Sequence, residues 1–163
     1  MTHYQSEAKQ TPSSEQARTL IQVLDKANFF YDEFRHSNWF TDLRSANKSD
    51  APSHEEKLQE YKAQLVSGAK PFEDDSFVSD VVAEFVNLID ALVDEWNDFR
   101  KWRDKNSAER QKASLLPLGS PVNELRDRRE RIDETYQEFY KTKYVPVRKR
   151  LRQIGNKALA DLR

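Results

Sequence analysis

The sequence predicts an all-α protein, a helical bundle of four to five helices with one long central helix and a basic amphipathic C-terminal helix. Three observations carry that reading. Apolar residues recur at steps of three and four through most of the chain, the period of an amphipathic helix. Charged residues make up 34% and hydrophobic residues 37%, a balance that suits helices burying one stripe and solvating the rest. Only three glycines occur, Gly68, Gly119 and Gly155, too few for the tight turns of a β-sandwich or the phosphate loop of a nucleotide-binding α/β fold. A chain of 163 residues fits one modest core. The expected organisation is a flexible N-terminal tail over residues 1–12 and a single helical domain over residues 13–163.

Each element follows from local signals. Ser13 and Gln16 have capping-box spacing, and Ala17, Leu20, Leu24, Ala27, Tyr31 and Phe34 then mark a helix from about residue 14 to 36. Residues 37–52 read as a connection in which Trp39, Phe40 and Leu43 pack down on the core. Ser53 with Glu56 is a second capping pair, opening a short helix with Leu58, Tyr61, Leu65 and Val66, and Gly68 stands where a C-terminal cap residue would. Asp74-Asp75-Ser76 starts the longest element, whose stripe runs from Val78 through Phe85, Leu92, Trp96 and Phe99 to about Asp104 and spans roughly 45 Å. Residues 106–119 read as a linker, and Ser120-Pro121 restarts the chain. Val122, Leu125, Ile132, Tyr136 and Phe139 form the next stripe, with Arg129–Asp133 among the i,i+4 ion pairs expected on its wet face. Pro146 should interrupt or kink this helix, after which Val147, Leu151, Ile154, Ala158 and Leu162 resume one face.

Composition narrows the function classes. Without cysteine there are no disulfides, thiolate metal sites or cysteine chemistry. No Glu-x-x-His, no glycine-rich phosphate loop and no Gly-x-Ser-x-Gly occurs, so no metal, cofactor or catalytic residue is expected. No apolar run approaches the length of a membrane span, and the polar start has no signal-peptide core, so a soluble cytoplasmic protein with no membrane contact is expected.

Charge is the most informative feature left. Residues 1–99 hold 9 Lys/Arg and 19 Asp/Glu, a net −10, whereas residues 100–163 hold 18 and 9, a net +9. Either the two halves neutralise each other, within the chain or across a dimer, or the basic end meets an acidic partner. Arg148, Lys149, Arg152, Asn156 and Tyr144 are the candidate partner or nucleic-acid-binding residues, since cations neutralise phosphates and aromatic rings stack on unpaired bases. Asp80, Glu84, Asp94 and Asp98 align opposite the apolar side of the long helix and offer the alternative docking strip for those cations. Trp102, Arg103, Asp94 and Asp98 are the candidate protein interface. The expected function is a non-catalytic interaction protein with a protein partner or a second copy, and nucleic-acid binding is the alternative.

Residues 148–161 resemble the last helix of HEPN domains, helical bundles of prokaryotic RNases, toxins and defence systems. Asn156-Lys157-Ala158-Leu159-Ala160 is similar to the Asn-Lys-x-x-Ala part of their motif. Gly155 and Asp161 stand where the motif has its Arg and His. The resemblance therefore implies a helical, often dimeric bundle of a defence or toxin–antitoxin kind, without the nuclease residues.

Overall fold

The computed structural model describes residues 11–36, 51–105 and 121–162, with the side chains of residues 51–54, 102–105 and 121–123 outside the description. Among the described residues there are five α-helices: α1 (Ser14–Arg35), α2 (Ala51–Ala69), α3 (Ser76–Lys105), α4 (Pro121–Phe139) and α5 (Val145–Asp161). A 310 turn, Lys70–Phe72, follows α2, and a π-helical turn, Tyr140–Tyr144, joins α4 to α5. No strand is present among the described residues.

Start signals written in the sequence are used. Ser13 Oγ accepts the Gln16 N–H at 3.0 Å while Gln16 Oε1 accepts the Ser13 N–H at 2.9 Å, so two backbone donors with no intrahelical partner are satisfied. Asp75 Oδ1 accepts the Val78 N–H at 3.2 Å and caps α3. Two other signals act differently. The second helix begins at Ala51 rather than at the Ser53 pair, which puts Pro52 in a first turn where a missing N–H costs nothing. Gly68 is not a cap, because α2 continues to Ala69; a Cβ there would lie 3.3 Å from Leu20 Cδ1, so its lack of a side chain lets α1 approach.

Pro146 explains the π turn. Within a continuous α-helix its ring would clash with the carbonyl four residues back, and its nitrogen donates nothing. The backbone widens instead, with the Val145 N–H donating to the Tyr140 carbonyl five residues back. The expected interruption is thereby absorbed, and α4 and α5 act as one bent arm.

Neighbouring helices run antiparallel. Phe30 stacks on Tyr61 between α1 and α2, Lys62 pairs with Asp90 between α2 and α3, and Asp98 and Glu84 of α3 meet Arg128 and Lys143 in reverse order along the arm. The result is an up-down bundle closed by contact of α1 with α5. The predicted stripe of α3 is its inner face: Val78, Val81, Val82, Phe85, Leu88, Ile89, Leu92, Trp96 and Phe99 are all buried. Two predicted stripe residues lie outside the core, Val66 on α2 and Leu162 after α5, because no described helix covers them. The connection carrying Trp39, Phe40 and Leu43, and the linker 106–119, lie outside the described residues.

Phe85 is the centre of the aromatic core, touching the rings of Tyr31, Phe139 and Tyr144 from α1, α4 and the π turn. Phe85→Ala should cost about 3–5 kcal/mol in a denaturant melt, through lost transfer energy and the cavity left behind. A loss under about 1 kcal/mol would show that these elements do not share one core.

Candidate functional site

Asp25 on α1 organises the surface that carries the predicted basic residues. Its carboxylate receives Arg148 in a fork, Nε to Oδ1 and Nη2 to Oδ2, both at 2.8 Å. The Tyr144 hydroxyl donates to the same Oδ1 at 2.6 Å. Local geometry supplies the convergence, since Tyr144 and Arg148 are four apart and so share one face of the arm. Burial, with Asp25 as hydrogen-bond acceptor, holds the Tyr144 phenol far above its ordinary range. The hydrogen bond to Asp25 raises the pKa of the Arg148 guanidinium.

These two candidates are therefore corrected. Periodicity placed Arg148 away from the apolar stripe and free for a partner, but the sector it occupies faces α1, where Asp25 binds it. Tyr144 is buried against Phe85 and Phe139 and presents no free ring to a base. The docking strip on α3 takes cations other than the three singled out: Lys143 binds Glu84, and Arg128 binds Asp98 at 2.6 Å. Asp94 is exposed. Arg150 meets Asp75 at 2.6 Å, so one carboxylate both caps α3 and anchors α5. Cations of the basic half thus meet carboxylates of the acidic half at Asp25, Asp75, Glu84, Glu95 and Asp98.

What stays outward is narrower. Lys149, Arg152 and Asn156 are exposed. Arg152 and Asn156 line a cleft of about 310 Å3 between α1 and α5, together with Arg18, Ile21 and Leu159. Gly155 lies at its base, buried; a Cβ there would stand 3.3 Å from that of Ala17. Gly155 is thus the site of a close helix crossing. Trp102 and Arg103 belong to α3, but their side chains lie outside the described residues.

A second cluster escaped the sequence reading. Glu95 of α3 is fully buried, and neither carboxylate oxygen accepts a hydrogen bond among the described residues. Arg129 Nη1 lies 3.8 Å from Glu95 Oε1, and Arg129 Nε lies 3.7 Å from Asp133 Oδ1. Arg35 of α1 reaches that same Asp133 oxygen at 3.9 Å and lies over the Tyr136 ring at 5.1 Å. The buried Tyr31 hydroxyl makes no hydrogen bond among the described residues. Arg129–Asp133 was expected on the wet face; it sits instead where α4 turns inward to α3. Spacing held the only clue: Glu95 is three residues after Leu92 and four before Phe99, inside the apolar stripe.

Burial sets the electrostatics of this cluster. It raises the Glu95 carboxyl from its ordinary 4.5 to about 8, with Arg129 opposing, and it also raises Asp133 and lowers Arg129. Among the described residues no group of three or more His, Asp or Glu is placed to hold a metal ion, and no helix is long and apolar enough to cross a membrane. Comparisons with protein families, with curated proteins and with solved structures find no match to this chain.

Two measurements probe these clusters. Asp25→Asn should destabilise the bundle by about 1–2 kcal/mol, less than breaking a fully buried pair because solvent reaches both groups. Adding Arg148→Gln should cost less than the sum of the two single changes; additivity in the double-mutant cycle would show that the fork is not coupled. Glu95 sets a pH dependence of definite sign. Its folded pKa lies above its unfolded value, so its stabilisation is full below pH 4.5 and is lost as pH rises through about 8. The melting temperature should fall across that window, and Glu95→Gln should flatten the fall; an unchanged profile would place Glu95 in contact with water.

Proposed function

We propose that this chain is a non-catalytic interaction protein, a subunit, regulator or adaptor that presents helix faces to a protein partner. The observation that supports this best is the set of apolar side chains left outside a closed core. Phe29 on α1 is 57% exposed, Val145 and Leu159 on α5 are 49% and 44% exposed, and Leu162 just beyond is 82% exposed. Most of the ion pairs among the described residues join one part of the bundle to another, which is a structural use of charge. Nucleic-acid binding is the second reading, and it now rests on Lys149, Arg152 and Lys157, which are exposed.

A photo-crosslinking amino acid placed at Phe29 or Leu162 tests the reading in the host cell. Protein adducts should form at these two positions and not at the exposed Gln64 of α2. No protein adduct at either position would overturn the proposal, and nuclease-sensitive adducts would favour the second reading. On that second reading, Lys149→Gln with Arg152→Gln should flatten the salt dependence of RNA or DNA binding by about two units, whereas Arg148→Gln should add nothing.

A further inference from the structure

Of the basic residues of α5, Arg148 and Arg150 are paired with carboxylates of other parts of the bundle, whereas Lys149, Arg152 and Lys157 are exposed and make no ion pair among the described residues. Arg148 faces α1 and Arg150 faces the start of α3, and each has a carboxylate partner. Lys149, Arg152 and Asn156 lie on the outer flank, in a stripe that Val145 begins and Leu159 ends. All five residues of that stripe are exposed. From Val145 to Leu159 it runs about 21 Å along the helix.

The first helix supplies the other bank. Arg18, Gln22 and Phe29 share one side of α1, on which Asp25 also lies. Because Ala17 meets Gly155 and Asp25 meets Arg148, the two helices run antiparallel. Phe29, one turn beyond Asp25, therefore stands at the Val145 end, and Arg18 and Ile21 stand at the Leu159 end. Small residues at the Ala17–Gly155 crossing keep bulk out of the cleft, whose floor includes Leu151 and Ile21. Among the described residues no acidic one lines that cleft, whereas Arg18 and Arg152 do.

Resting on the interaction reading above, we infer that the furrow between α1 and α5 receives an amphipathic helix of a protein partner, with apolar side chains near both ends and carboxylates between them. Apolar ends on this chain fit apolar anchors, and unneutralised arginines fit Glu or Asp. The aliphatic lining of the cleft around Arg18 and Arg152 argues for a protein helix over a single strand of nucleic acid, the exposed ring of Phe29 standing at the other end of the furrow. A second copy of this chain seated through the same face would bring Arg18 and Arg152 against their own equivalents, so like charge opposes symmetric self-association.

Two fluorescein-labelled 21-residue peptides provide the probe for the full chain. Both carry leucine anchors at matching spacing; one has Glu between them and the other Lys. In fluorescence anisotropy the Glu peptide should bind saturably and about tenfold tighter than the Lys peptide, with the gap narrowing at high salt. Arg18→Glu with Arg152→Glu should reverse the order, and Phe29→Ser or Leu159→Gln should weaken the Glu peptide about tenfold. All four positions are exposed, so circular dichroism should show the fold retained. Equal binding of the two peptides, no binding, or an order unchanged by the charge reversal would overturn the inference. Tighter binding of a short single-stranded RNA than of the Glu peptide would overturn it as well. Crosslinks to protein at Phe29 or Leu162 with no acidic preference would sink this inference and leave the interaction reading standing; no protein crosslink would sink both.

Discussion

Asp25 holds the bundle closed where helical packing alone leaves most freedom. Apolar contact is not directional, so the aliphatic and aromatic inner stripe of the arm formed by α4, the π turn and α5 does not by itself fix how the arm sits. Three donors from that arm, Tyr144 Oη and two nitrogens of Arg148, converge on one carboxylate of α1. A bidentate fork has one geometry, so it sets both the register and the rotation of α5 against α1. The outer furrow, which brings Arg18 and Phe29 of α1 alongside Val145, Lys149, Arg152 and Leu159 of α5, depends on that register.

Pro146 makes the convergence possible. Had the arm been a regular α-helix, the residues after Phe139 would carry the phase of α4 straight on. The π turn inserts extra rotation between the two stripes. One side of the arm can then place Tyr136 and Phe139 against Tyr31 and Phe85, while Tyr144 still reaches both Phe85 and Asp25. Beyond the turn, Val147 and Leu151 remain buried. A proline that helical propensity marks only as a breaker acts as the joint that aligns two packing faces.

Polarity inside the bundle has a different physical meaning from polarity at the furrow. Arg129 lies at an ion-pair distance from Glu95 that is longer than a hydrogen bond, and Asp133 and then Arg35 continue the cluster from Arg129, in surroundings where burial opposes ionisation of the Glu95 carboxyl. A core carboxyl of this kind lowers stability relative to an apolar residue of similar volume and restricts how α1, α3 and α4 can be shuffled. At the furrow, Arg18, Lys149 and Arg152 are exposed, so burial does not oppose their charge as it does at Glu95.

By itself the sequence determined the all-α class, the span of the long helix, its inner face and the Ser13 cap, because periodicity and capping are local properties that a window of residues contains in full. Burial of the predicted α3 stripe from Val78 to Phe99 follows from that alone. Only the tertiary structure decided which charges remain free. Arg148 and Arg152 lie four residues apart in one basic helix, and nothing in their spacing shows that one meets Asp25, more than a hundred residues earlier in the chain, while the other faces solvent. Likewise the spacing of Glu95 places it within the apolar stripe but does not show that Arg129 of α4 is brought against it. A charge's role depends on what long-range packing places within a few ångströms of it, and on how far that packing excludes water.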